Sequence, residues 1–195
     1  MNKTKLSEER DSSIYSIGHS TRSLDGFLEL IERFRIQLLL DIRTIPRSRH
    51  VPQFNSASLE RALQNHRVGY RHVKRLGGLR KPIHDSPNTG WRNLSFRGFA
   101  DYMQTADFKK GLSGLLDLAA EKKVALMCAE AVPWRCHRSL ISDSLLIRGI
   151  EVLHIISAKS VRLHELTPFV AVKGDRITYP KIADEGLPAL VKNTT

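Results

Sequence analysis

The sequence predicts an α/β domain: a mainly parallel sheet with helices on both faces, Rossmann-like, with a C-terminal β-hairpin extension. Three observations carry this reading. Strand-like apolar runs alternate with helical periodicities from residue 14 to residue 156, the order that gives parallel strands joined by crossover helices. The run IQLLLDIR (36–43) is almost continuously apolar, as a strand buried on both faces must be. Near the end, FVAVKGDRITYP sets two short strand-like stretches on either side of Lys173-Gly174-Asp175, a hairpin signal.

Taken in order, residues 1–13 are polar, mixed in charge and without the apolar core of a signal peptide, and read as a disordered tail. IYSIGHST is a first strand closing in a glycine turn. Ser23 then caps a helix on which Leu24, Phe27, Leu28, Ile31 and Phe34 share a face. IQLLLDIR is the second strand, and TIPRSRHVPQFN a loop broken by Pro46 and Pro52. SASLERALQNHR is a helix with a serine cap, and GYRHV a third strand. LGGLRKPIHDSPNTGWRNLS is a long Gly- and Pro-rich loop; inside a compact domain that length signals function or disorder. Helices follow over 96–103 and 107–122. VALMC is a fourth strand, CHRSLISDSLLIRG a helix stopped by Gly149, and EVLHII a fifth strand. Residues 14–158 form a single α/β domain on this reading, and 159–195 the extension.

The 195 residues are 41% hydrophobic, ordinary for a globular domain. No apolar run reaches bilayer length, so no membrane contact is expected and a cytoplasmic location is. Two cysteines are too few for a disulfide framework. They are thiols, ligands or core residues. The net charge of +11 and a pI of about 10.0 suit a polyanion or a phosphorylated substrate, or simply a basic solvated surface. Residues 43–84 hold ten Lys or Arg, four His and the single acid Glu60. Phe54, Tyr70, Trp91 and Phe96 lie in this zone or just beyond it. Basic residues interleaved with aromatics can line a nucleotide or single-strand groove; the alternative is a solvated face over core aromatics.

In an open α/β sheet, ligands bind outside the carboxyl ends of the strands, and the ionisable residues fall there. The first strand delivers Gly18-His19-Ser20, the second Asp41-Ile42-Arg43, the fourth Cys128 and Glu130. The following helix begins near Arg135-Cys136-His137-Arg138. A thiol at a helix start among cations is shifted toward thiolate, so Cys136 is a candidate nucleophile. Cys128 is either a second reactive thiol or a buried core residue. His19 and His137 are candidate bases. Asp41 is a base or an orienting group, or one half of a structural pair with Arg43. Glu130 is an acid, a base or a salt-bridge partner. Arg43, Arg47, Arg49, Arg135 and Arg138, with Ser20 and Ser48, are candidate anion binders. Gly77-Gly78 either lets backbone approach a ligand or forms a turn. His154 reads as core or as support behind the site. No organic cofactor is expected. A divalent metal on Cys128, Cys136 and a histidine is the weaker alternative, because there is no paired CxxC.

The stretch from Cys128 to Arg135 resembles the phosphate-cradling loops of cysteine phosphatases and sulfurtransferases, one residue longer than the phosphatase spacing, and LLLDIR resembles an early strand of sulfurtransferase-like domains. A broader resemblance rests on YSIGHSTRSLDGFLELI, LLLDIRTIPRSRHVPQFN, Tyr70 with LGGL, ALMCAEAVPWRCHRSLI and VLHI, in that order. Together they resemble the uncharacterised family named domain of unknown function 488, over about residues 14–156. The resemblance implies a signature of Gly18, His19, Asp41, Arg43, Pro46, Ser48, Phe54, Gly77, Gly78, Cys128, Glu130, Cys136, His137 and Arg138. It implies no activity.

Two functions of different class follow. One is an enzyme, a cysteine-dependent hydrolase or transferase, with a basic strand-end cleft for a phosphorylated small molecule or nucleic acid. The other is a nucleic-acid-binding module without chemistry, which leaves the thiols unexplained. A metal-binding protein and an interaction scaffold are the remaining readings. Oligomeric state is not legible.

Overall fold

The computed structural model describes residues 13–181. The expected tail, except Ser13, and the last fourteen residues of the extension lie outside them. The chain runs β1 (Ile14–Gly18), α1 (Leu24–Arg33), β2 (Leu38–Asp41), α2 (Ser56–Asn65) and β3 (Gly69–His72). It continues through α3 (Leu94–Tyr102), α4 (Ala106–Glu121), β4 (Val124–Cys128), α5 (Arg138–Leu146), β5 (Val152–Ser157) and β6 (Ser160–Leu163). β7 (Ala171–Lys173) and β8 (Arg176–Thr178) follow. Six strands form one sheet in the order β3-β2-β4-β1-β5-β6, and β7-β8 form a separate pair. β1 to β5 are parallel; β6 returns antiparallel to β5. The fold is α/β with a C-terminal antiparallel hairpin.

Alternation along the buried strands sorts the core into two layers. Leu38 and Leu40 of β2, with Val124, Leu126 and Cys128 of β4, face α3, α4 and α5. Leu39, Ala125 and Met127 face α1 and α2. α1 lies on one face and α5 on the other. The connection leaving β1 therefore crosses toward β2, while the one leaving β4 crosses toward β5. The strand ends of β1 and β4 flank the place where the two connections diverge, which leaves a crevice there.

Several local expectations are corrected. β6 carries polar and apolar residues that are all exposed, so its pattern gave no burial signal, and the sequence reading passed it over. α2 is capped by Asn55, not by Ser56, and the cap has no side-chain bond. The Asn55 Oδ1 instead accepts from the Ser48 N–H at 2.7 Å. The long loop is ordered by a buried carboxylate: Asp101 accepts from the Ile83 N–H, the Ser86 hydroxyl and the Asn88 amide. The aromatics do not form a stacking row. Phe54 is fully buried, and Trp91 packs against Phe96, Phe169 and Tyr179. Among the described residues, no helix is long and apolar enough to cross a membrane.

The hairpin is fastened to the core by Tyr179. Its N–H donates to the Asn88 Oδ1 at 2.8 Å and its hydroxyl to the buried Asp143 Oδ2 at 2.8 Å. Removing one donor from a buried carboxylate costs about 1.5–3 kcal/mol. Tyr179→Phe is expected to lower the unfolding free energy by that amount in urea, with the helical signal unchanged before the transition.

Candidate active site

The crevice holds a cavity of about 340 Å³. β4 delivers Cys128, the chain after β2 delivers Arg43, and the turn before α5 delivers Arg135, Cys136 and His137. Gly78 and Glu130 also line it. The two thiols, predicted from either end of one loop, meet: the sulfurs of Cys128 and Cys136 and a ring nitrogen of His137 lie within 4.8 Å of one another. Both cysteines are free and buried.

Arg138 organises this loop from beneath. It is 1% exposed. Its Nη2 donates to the carbonyls of Glu130 and Ala131, its Nη1 to the Ser16 hydroxyl at 3.4 Å, and its Nε to the Cys136 sulfur at 3.5 Å. Among the described residues it pairs with no carboxylate, and the sulfur is the group beside it that can carry negative charge. Burial alone would raise the Cys136 thiol. Hydrogen bonds from Cys128 and His137, and the charges of His137 and Arg138, outweigh it and hold Cys136 well below the ordinary thiol range. Cys128 moves the opposite way: its hydrogen bond to Cys136 and its burial push it well above that range. The pair is therefore asymmetric, its two thiols shifted in opposite directions.

His137 faces Cys136 through Nδ1 at 3.6 Å, and its Nε2 lies 3.2 Å from the Ile42 carbonyl. A carbonyl only accepts, so Nε2 keeps its proton and Nδ1 is the nitrogen that exchanges one. Gly78 sets the ring: a β-carbon there would collide with the imidazole. Gly18 plays the same part for the loop, because a β-carbon on it would collide with the Glu130 carbonyl. The two glycine motifs thus serve close backbone approach.

Behind Arg138 runs a buried hydrogen-bonded chain. The Ser16 hydroxyl meets His154 Nδ1 at 2.8 Å, His154 Nε2 meets His164 Nδ1 at 3.1 Å, and His164 Nε2 meets Asp143 Oδ1 at 2.9 Å. Asp143 accepts besides from Thr167 and Tyr179. Burial, aided by the charges of His164 and Arg138, lowers His154 to about 3, so its ring is neutral. A hydrogen-bonded line thus connects Arg138 to Asp143 through Ser16, His154 and His164.

The remaining candidates fall into two groups. Asp41, Arg43 and His19 form a buried cluster at the ends of β1 and β2. Asp41 accepts two side-chain bonds from Arg43, one from the Arg43 N–H and one from the Tyr70 hydroxyl. Its lone pairs are spent, so it orients Arg43 and is no general base. That hydrogen bond and charge raise Arg43 although burial works against them. His19 stacks on Phe54 at 4.3 Å and accepts from Arg43 Nη1 at 3.3 Å. Burial lowers it, and it reaches the cavity through Arg43. Gly77 packs on Thr44 beside this cluster. Ser20, Arg47, Ser48 and Arg49 do not reach the cavity. Ser20 turns the chain at φ 49°, Ser48 caps the loop at His50 and Val51, and Arg47 and Arg49 project to solvent.

The sequence reading missed Thr44, Ile45, Leu79, Asn93 and Ser95 in the cavity wall, and Ser16, Asp143 and His164 behind it. One signal for the relay was present: α5 reads SLISDSLL, with no polar face for its serines and Asp143, so these had to be buried and bonded. The trio Cys128, Cys136 and His137 is the group among the described residues whose donors are spaced to hold a soft cation. It offers three donors, as catalytic zinc sites do, not the four of a closed structural site.

A family model described as domain of unknown function DUF488 matches residues 23–145. No curated protein and no solved structure matches the chain.

Gly78→Ala is expected to displace His137 and raise the Cys136 thiol. As pH falls, wild-type Cys136 keeps its thiolate below the ordinary thiol range and loses it only on passing the lowered value. In the variant that loss comes earlier. Alkylation of Cys136, followed by peptide mass spectrometry over a range of pH, should slow about tenfold for each unit by which the variant's value exceeds the assay pH.

Proposed function

The chain belongs to the DUF488 family, and we propose that it is a thiol-dependent hydrolase or transferase acting on a phosphate-bearing substrate. The observation that carries the reading is the Cys136 sulfur, buried against Arg138 and His137 with Cys128 as an added donor. A buried thiol with no function would be held neutral in apolar surroundings. Here the surroundings favour its anion.

The steps follow from the donors. The substrate's anionic group sits at the cavity mouth against Arg135, whose side chain bonds nothing among the described residues. Arg43 keeps one N–H of Nη1 after its bonds to Asp41, Phe54 and His19. The Cys136 sulfur attacks the electrophilic centre, forming an S–X bond as the bond to the leaving group breaks. The leaving group takes the proton from His137 Nδ1. Water or a second acceptor then attacks X, His137 takes its proton, and the thiolate leaves.

A second reading is favoured by the donor trio: a soft divalent cation held by Cys128, Cys136 and His137. Metal analysis of the purified protein, before and after dialysis against a chelator, separates the two.

On metal-free protein, inorganic phosphate is expected to slow alkylation of Cys136 in a saturable way. Arg135→Ala should weaken that protection about three- to fivefold, a modest loss because the side chain is exposed. Absence of protection, with Cys136 and Cys128 alkylated alike, would overturn the proposal.

A further inference from the structure

A larger cavity lies elsewhere, along the edge strand β3. It measures about 570 Å³. Five cations line it: Arg71 of β3, Lys74 and Arg75 of the turn after it, Arg80 of the long loop and Lys110 of α4. The one carboxylate in its wall, Asp107, lies 3.6 Å from Arg75, with both side chains well exposed. So much like charge gathered on one concave face is unfavourable unless an anion comes to it.

Two features show a cavity held ready. Arg80 is fixed in place: its guanidinium lies 3.6 Å over the Tyr102 ring, its Nε donates to the Gly77 carbonyl, and the Tyr102 hydroxyl donates to the Arg75 carbonyl. Its Nη groups bond nothing among the described residues. Gly114, in the middle of α4, also lines the cavity. A β-carbon there would meet nothing within 4 Å, so no packing among the described residues requires glycine. Glycine in a helix interior costs about 1 kcal/mol relative to alanine, and here it leaves the cavity floor open.

We infer that this cavity docks the phosphodiester backbone of a nucleic-acid strand. The wall sets its five cations around Val73, Leu118 and two glycines, and the Tyr102 face is covered by Arg80. Such a surface positions a backbone without reading sequence. The inference deepens the proposed function and rests on it for the substrate's role. The segment Gly78-Leu79-Arg80 separates the two cavities, Gly78 and Leu79 facing Cys136 and Arg80 facing the basic wall. His72 lines the basic cavity, and its Nε2 donates to the Arg43 carbonyl at 2.8 Å. A strand docked here passes its next phosphates toward the thiol.

The test is fluorescence anisotropy of a labelled single-stranded DNA oligonucleotide against the full chain over a range of salt. Binding should weaken steeply with salt, with a log–log slope of about −0.7 for each phosphate contacted. The triple variant Arg71→Ala/Lys74→Ala/Lys110→Ala changes exposed side chains alone. It should flatten the slope by about 2 and weaken binding at least about tenfold at low salt. Arg47→Ala/Arg49→Ala, which removes surface charge outside the cavity, should change binding by less than about threefold. Equal losses in the two variants would overturn the inference in favour of diffuse attraction. Full competition by inorganic triphosphate at the oligonucleotide's own phosphate concentration would overturn it in favour of a small polyphosphate. The assay involves no reaction at Cys136, so its failure would leave the thiolate proposal standing, and an inert thiol would leave this result untouched.

Discussion

Arg138 is a guanidinium withdrawn from water at the first turn of α5, and an unpaired charge in such a place costs several kcal/mol. Most of the surrounding structure can be understood as compensation for it. The loop after β4 bends so that two of its carbonyls face the guanidinium. β1 contributes a serine where its other residues are apolar. Cys136 supplies a sulfur that gains by becoming an anion. Behind these, Ser16, His154 and His164 carry a line of hydrogen bonds to the carboxylate of Asp143. The cation and the carboxylate do not touch; the Ser16 hydroxyl and the rings of His154 and His164 lie between them. That arrangement leaves Arg138 incompletely neutralised on the side facing the thiol, and there a thiolate is the natural complement.

The topology places this cation where a ligand can reach its effect. The connections from β1 and β4 leave on opposite faces and open a crevice between their ends. Glycine at position 18 lets the loop after β4 cross β1, and glycine at 78 lets the long loop close on His137. The two thiols, the imidazole and the two arginines of the cavity then come from three separate segments. Asp41 secures the third of these by using all its lone pairs on Arg43 and Tyr70.

Much of this was legible in the sequence, and for identifiable reasons. The central parallel strands announced themselves because burial on two faces leaves apolar runs, as in LLLD and VALMC, whereas β3 (GYRH) is only partly buried and carries no such run. The convergence of Cys128, Cys136, His137 and Arg43 followed from the rule that sites lie at strand ends. What failed did so where the deciding contact is remote. Nothing near Asp41 says that a tyrosine 29 residues away will occupy it, nor does anything near Ser16 announce a histidine 138 residues on. β6 escaped notice because an exposed edge strand needs no apolar pattern. Arg47, Ser48 and Arg49 were drawn into the site by charge and proximity in sequence, but the loop that carries them folds back on Asn55 and turns the arginines outward.

The central claim is that the counter-charge to Arg138 is the Cys136 thiolate. The most direct measurement is a pH titration of thiolate ultraviolet absorbance on metal-free protein, wild type against Cys136→Ser. The account predicts one thiolate at neutral pH in the wild type, absent from the variant, and lost only on acidification well below the ordinary thiol range. Identical spectra at neutral pH, with thiolate appearing only as pH rises through about 8.5, would contradict it.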